Sequence, residues 1–146
     1  MANVYEIGMQ KTLDGTIDLD AGSVKALLLE TGATFTATHA TVAAVLAVGG
    51  GEFDADSGYA RQTLGTPAIS IAAGKVKFTS NNVAFSNVDS ADTAIAMLIF
   101  WDSGGGDGTS IPLCWCDGAD EVFTDNNLKT LTYNCPSDGW MYRSNA

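Results

Sequence analysis

Basic residues are scarce in this 146-residue chain, which has 7 lysines and arginines against 17 aspartates and glutamates and a formal charge of −10. A surface that binds phosphates needs clustered basic side chains. The basic residues here are scattered along the sequence, at Lys11, Lys25, Arg61, Lys75, Lys77, Lys129 and Arg143. We therefore expect no nucleic-acid partner, and the acidic excess favours solubility.

Long apolar runs are also missing. No run approaches the roughly 18 residues of a membrane span, and residues 1–6 lack the basic segment and apolar stretch of a signal peptide. We therefore expect no membrane partner and a protein that is made and folded in the cytoplasm. In that compartment its three cysteines are expected to be reduced thiols.

Charged residues make up only 16% of the chain, so Thr, Ser, Asn and Gly must cover much of its surface. That balance favours short strands and tight turns over long solvent-facing helices. The hydrophobic fraction of 46% is sufficient for a packed core. The sequence shows no linker and no internal repeat, so we expect one domain over residues 1–146.

Hydrophobic patterning predicts strands over most of the chain. The run Val24–Glu30 is continuously apolar apart from Lys25, as in a strand that is covered on both faces. In Lys75–Thr79 the alternation places Val76 and Phe78 inward and the two lysines outward. Further strands are predicted at 59–64, 69–71, 111–116 and 128–133. A turn at Ala73-Gly74 is predicted to join 69–71 to Lys75–Thr79 as a hairpin.

The segment 94–101 is the longest predicted strand, and both of its faces are apolar. It is therefore either central or covered on one face by a partner subunit. Two short helices are predicted, one at 3–13 with Tyr5, Met9 and Leu13 on one face, and one at 39–48 with Val42, Val45 and Leu46 together. Strands recurring every 8–15 residues predict a mostly β, single-domain β-sandwich (jelly-roll-like or immunoglobulin-like) or a small barrel.

Few residues suit catalysis. His39 is the only histidine, so a serine or cysteine triad must use it, but no nucleophile motif flanks it. We interpret it as an exposed or helix-capping residue. Cys114 and Cys116 lie on one side of a strand, with Cys135 further along. The CxC spacing suits neither a zinc site nor a catalytic dithiol, so we interpret these cysteines as packing residues.

Two acidic loops, 54–58 and 102–108, are candidate calcium sites, but neither continues to the glutamate that ends an EF-hand loop. Aspartate and glycine are also the usual turn residues. A phosphate-binding glycine motif is absent, and the acidic residues form no recognisable glycosidase pair. We therefore predict no catalytic, cofactor-binding or metal site, and a protein that is not an enzyme.

Several segments suggest a family. Residues 13–20 read LDGTIDLD and residues 24–31 read VKALLLET, and the apolar run 94–101 leads into Asp-Ser-Gly at 102–104. Near the end come NNLKTLTY at 126–133 and GWMY at 139–142. This order resembles that of small structural proteins of tailed bacteriophages, which open with a short helix, have a central strand before a D-[ST]-G loop and close with a pair of strands.

The resemblance covers roughly residues 5–142 and rests on loose structural motifs. It implies a virion protein with a β-sandwich fold, located on the capsid surface as a decoration or cement protein that stabilises the head. The implied partners are the major capsid protein and further copies of the chain in a symmetric dimer or trimer. The expected contact elements are segment 1–13, as a helix or arm, and the loop 102–109. The three cysteines and the triple glycine 49–51 depart from the family pattern.

Other functions stay open. The chain is alternatively a tail, baseplate or fibre component of the virion. It is also compatible with a carbohydrate-binding module, in which exposed Trp101, Trp115 or Trp140 would stack on sugar rings. A hydrolase that uses His39 or paired carboxylates ranks last.

Overall fold

A computed structural model describes residues 2–20, 23–53, 58–72, 74–88, 93–122 and 129–144. Two short helices and ten strands form within these ranges, which confirms the mostly β fold. In chain order they are β1 (Asn3–Val4), α1 (Glu6–Leu13), β2 (Val24–Glu30), α2 (Val42–Leu46), β3 (Gln62–Thr63), β4 (Ala68–Ala72), β5 (Lys75–Thr79), β6 (Val83–Val88), β7 (Thr93–Trp101), β8 (Ile111–Val122), β9 (Lys129–Tyr133) and β10 (Met141–Ser144). No described helix has the length and apolarity needed to cross a membrane.

The strands form three antiparallel sheets. The largest has the order β1-β8-β7-β2-β3, and the smaller two have the orders β10-β5-β4 and β6-β9. Strand β7 lies in the middle of the large sheet, where Ile99 is paired with Ala26 on β2 and with Cys114 on β8. The prediction of a central strand at 94–101 is therefore confirmed, as are β2 with its predicted bounds and the β4–β5 hairpin.

The large sheet is covered on both faces by the chain itself. On one face Val24, Met97 and Ile99 pack with residues of the smaller sheets, including Phe78 and Phe85. On the other face β2, β7 and β8 contribute a second core that α2 and neighbouring segments cover, formed by Leu27, Leu29, Ala96, Leu98, Phe100, Trp115, Tyr5, Ala33, Val42 and Val45. The apolar faces of β7 therefore need no partner subunit.

The N-terminal segment is integrated into the fold. The predicted helix 3–13 is a two-residue strand, β1, followed by the helix α1. The backbone N–H of Tyr5 donates to the carbonyl of Leu113 at 3.0 Å, and its side chain is fully buried. Gly8 weakens the helix in isolation, but a Cβ there would lie 2.5 Å from the carbonyl oxygen of Pro112, so glycine allows α1 to pack closely on β8. Tyr5, Met9 and Leu13 line one depression, as a common face predicts, but Tyr5 is buried and Leu13 is exposed.

The second predicted helix, at 39–48, is confirmed in a shorter form, α2. The side-chain oxygen of Thr41 caps it by accepting a hydrogen bond from the N–H of Ala44 at 3.2 Å. Val42 and Val45 are buried and Leu46 packs half-buried against the same core, so the predicted common face is confirmed.

Other predictions need correction. Val76 is 48% exposed, although alternation placed it inward with buried Phe78, because the β10-β5-β4 sheet extends past the core at that end. The side chain of Lys77, predicted outward, is only 13% exposed and pairs with Asp138.

The bounds and pairing of some strands also differ from the prediction. The run 59–64 is a strand only at β3, and the sequence pattern does not predict β6. The two closing strands lie in different sheets, since β9 pairs with β6 and β10 with β5.

Candidate interaction surface

The exposed large apolar side chains of the described residues lie together. Leu13, Ile69, Ile71 and Val76 are 71%, 46%, 80% and 48% exposed. Ile71 is the cross-strand partner of Val76, and Leu13, Ile69 and Val76 line one groove. We call these four residues the apolar surface. Clusters of this kind mark protein–protein contacts more often than scattered single apolar residues do.

The groove beside the apolar surface separates α1 from the β10-β5-β4 sheet. It has a volume of about 180 Å³, and its lining includes Met9, Leu13, Ile69, Val76, Met141 and Tyr142. On the other side of α1 a second, more open depression is lined in part by Met9 and Leu13. The last two turns of α1 therefore present apolar side chains on both flanks.

Strand β4 forms one edge of the apolar surface. Its sequence is Ala-Ile-Ser-Ile-Ala, all five residues are exposed, and no described strand pairs with its outer side. Natural edge strands are usually protected by charges, proline or bulges. Among the described residues, the N–H of Ile69 makes a polar contact at this edge by donating to the carboxylate of Asp20 at 3.0 Å.

The glycine loop 102–108 is anchored at both ends. Asp102 forms an ion pair with Lys25 at 2.6 Å, and Asp107 forms one with Arg61 at 2.6 Å. Just after the loop, the hydroxyl of Ser110 donates back to the carbonyl of Gly106 at 2.9 Å. Both carboxylates of this candidate calcium loop therefore already contact cationic side chains, and the loop is held rather than loose. The other candidate, 54–58, lies outside the described residues apart from Gly58.

Arg61 joins distant parts of the chain. Its guanidinium contacts Glu52 (Nε to Oε1, 2.9 Å) as well as Asp107, and it lies 5.5 Å from the ring centre of Phe100. Tyr59 completes this cluster by donating to Glu52 at 3.2 Å. Hydrogen bonding to Arg61 lowers the pKa of Asp107, and bonding to Lys25 lowers the pKa of Asp102.

These lowered pKa values predict acid sensitivity. An aspartate whose pKa falls on folding stabilises the native state above its unfolded pKa of about 3.9 and loses that contribution as the pH falls through the folded value. We expect Asp107→Asn to lower the free energy of unfolding by about 1 kcal/mol near neutral pH, because the pair is about a third exposed. As the pH falls through the lowered pKa of Asp107 in the folded protein, the variant and the wild type should converge.

The measurement is urea unfolding from about pH 7 to about pH 2. Asp18→Asn is the matched control, since Asp18 is exposed and forms no ion pair with a described residue. Near neutral pH the control should unfold with a free energy close to that of the wild type. An unchanged acid slope in Asp107→Asn would show that the Arg61 pair contributes nothing.

The residues that the sequence offers as candidates for catalysis or metal binding do not form a common site. His39 lies before α2, and its Nδ1 is buried with no hydrogen-bond partner in the described ranges. Cys114 and Cys116 are buried in β8, Cys135 is half-buried, and all three are free thiols. Burial raises the pKa of the Cys114 thiol, which disfavours the reactive thiolate. Over the described residues no three histidine, cysteine or acidic side chains are placed to hold a metal ion.

The tryptophans are not the exposed platforms that a carbohydrate module would need. Trp115 and Trp140 are only 5% and 3% exposed, and the indole N–H of Trp140 donates to the hydroxyl of Ser80 at 2.8 Å. Trp101 is half-buried and packs against the core. The expectation of exposed stacking residues is therefore wrong for two of the three.

Sequence reasoning missed the apolar surface, although its signal is present. Ile69 and Ile71 alternate with small residues and Val76 alternates with lysines, and for Val76 this alternation predicts a buried position. The chain matches no family model, no curated protein and no solved structure. Its likeness to tailed-phage proteins thus rests on the sequence segments alone, and its function has to be inferred from its own surfaces.

Proposed function

We propose that the chain is a structural protein of a tailed-phage virion that binds the outer face of the capsid and stabilises it. The observation that carries this proposal is the clustering of the exposed large apolar side chains Leu13, Ile69, Ile71 and Val76 on one part of the molecule. Within the described ranges the core faces of the large sheet are covered by the chain itself, so folding does not require an exposed cluster of this kind. The resemblance described above supplies the virion context.

The packing around the apolar surface suits a rigid docking element. Helix α1, which carries Met9 and Leu13, is fixed on β8 by buried Tyr5 and by the close approach of Gly8 to Pro112. The N-terminal segment therefore takes part as a packed helix and not as a loose arm. Rigid elements lose little conformational entropy on binding, which favours affinity.

Capsid stabilisation follows from mass action. A protein that binds only the intact shell stabilises it by an amount that grows with its concentration and affinity. Many symmetric copies, as dimers or trimers, would raise a modest single-site affinity through avidity. A moderate apolar surface is therefore sufficient, and the acidic remainder of the chain disfavours binding to the DNA of the virion.

The test is co-sedimentation with undecorated heads of the encoding phage, followed by heating. We expect the wild type to pellet with the heads and to raise their disruption temperature. Leu13→Glu combined with Val76→Glu should stay in the supernatant, because both charges fall on the apolar surface. Both positions are exposed, so the fold should be retained.

The matched control is Thr63→Glu combined with Ala84→Glu, which adds the same charge at exposed positions outside the apolar surface. It should bind like the wild type. Wild-type protein that stays in the supernatant at high concentration, or that labels only tails on intact particles, would contradict the capsid role. Equal binding by the two double variants would contradict the assigned surface.

A further inference from the structure

Strand β4 has a sequence that reads the same in both directions, Ala68-Ile69-Ser70-Ile71-Ala72. We infer that it is a self-association edge, where β4 of a second copy pairs antiparallel with it about a two-fold axis at Ser70. The result is a continuous six-stranded sheet with the order β10-β5-β4-β4-β5-β10. This inference names the partner for self-association in the proposed function, but it does not depend on a virion role.

The palindrome favours a second copy over an unrelated partner. A two-fold interface brings the same surface of both subunits together, so each residue must fit the symmetry-related position of the same strand. With the axis at Ser70, Ala68 faces Ala72 of the second copy and Ile69 faces Ile71. Paired β-branched residues stabilise antiparallel strands. Strand β4 contains no charged residue, so its pairing with a second copy brings no like charges together.

Backbone directions agree with this register. The N–H of Ile69 points away from β5, because it donates to the carboxylate of Asp20. Alternate residues of a strand direct their backbone groups to the same side, so Ile71 also faces the free edge. About an axis at Ser70, Ile69 and the symmetry-related Ile71 then form the hydrogen-bonded pairs. Ser70 directs its backbone groups to β5 and meets its own copy as a non-hydrogen-bonded pair.

Asp20 competes with the second copy for the N–H of Ile69. Its side chain is exposed and holds this group through a single hydrogen bond, which a carbonyl of the incoming strand can replace. Edge protection by a nearby carboxylate is a common way to limit sheet-to-sheet association. A five-residue edge is also short beside a standard interface of about 1,600 Å². We therefore expect a weak dimer, with a dissociation constant in roughly the micromolar range.

Cysteine cross-linking tests the register. In a Cys135→Ser background, which removes the half-buried native thiol, Ser70→Cys places two thiols opposite each other at a Cα separation of about 4.5 Å, within the range of a disulfide. We expect covalent dimers under mild oxidation. Ala68→Cys and Ala72→Cys should not cross-link with themselves, since each equivalent pair is roughly 14 Å apart, whereas a mixture of the two should.

Sedimentation velocity of the full chain, without capsids, tests the association itself. Ile71→Lys should abolish the dimer, Ala84→Lys should leave it unchanged as the charge control, and Asp20→Ala should strengthen it several-fold. A wild type that stays monomeric up to about 1 mM, or a cross-link at position 72 and not at position 70, would overturn the inference. Wild-type protein that forms the dimer but stays in the supernatant with undecorated heads would instead count against the proposed function alone.

Discussion

Replacing Ile99 with aspartate is expected to prevent soluble folding. Ile99 lies in the middle strand of the large sheet, paired with Ala26 and Cys114, and it is fully buried. The substitution removes a buried apolar side chain and leaves a carboxylate in the core, which together cost several kcal/mol. Single domains are stable by only about 5–15 kcal/mol, so this loss is expected to unfold the chain.

The matched control is Ile71→Asp, the same chemical change at an isoleucine that is 80% exposed. This variant should remain soluble and melt cooperatively close to the wild-type temperature. Soluble yield and circular dichroism melting curves distinguish the two. A cooperative melt of Ile99→Asp within a few degrees of the wild type would show that β7 is not the centre of the core.

The position of Ile99 could be predicted because its signal is local. A strand of apolar residues on both faces must be covered on both faces, and 94–101 and Val24–Glu30 both show this pattern. These two strands are neighbours at the centre of the large sheet. The fold class followed from them and from the spacing of the other strands.

Val76 shows what the alternation of apolar and polar residues along a strand does not predict. Alternation correctly places Val76 and Phe78 on the same face of β5, but it carries no information about how far the covering layer extends. Phe78 lies over the core, and Val76, one alternation further, lies beyond it. The apolar surface was missed for this reason, since an alternating strand predicts a buried face whether or not another segment covers it.

Sequence patterns also do not predict the long-range polar contacts. Arg61 and Asp107 are 46 positions apart, and nothing in the neighbourhood of either residue indicates the other. The anchoring of the glycine loop depends on this pair and on the ion pair between Lys25 and Asp102, and the loop's glycine-rich composition indicates neither contact. Contacts of this kind depend on the tertiary arrangement, which spacing along the sequence does not encode.

The triple glycine 49–51, which departs from the phage-protein pattern, is expected to be the second most sensitive feature. Gly49 has φ +74°, and a Cβ there would overlap the carbonyl oxygen of Gly32 in the turn after β2. The backbone of the segment after α2 thus contacts the backbone of that turn, and the N–H of Glu30 donates to the carbonyl of Gly51 at 3.1 Å. Alanine at position 49 must push these segments apart.

Gly15→Ala separates the two causes of this sensitivity. Gly15 has the same φ of +74°, but a Cβ there would contact nothing within 4 Å. Its replacement should cost only the backbone strain, about 1–2 kcal/mol, while Gly49→Ala should cost about 2 kcal/mol more through overpacking. We expect Gly49→Ala to melt roughly 5–10 °C below Gly15→Ala. Equal melting temperatures would show that the segment at 49–51 yields freely, and that these glycines serve the turn conformation and not the close contact with Gly32.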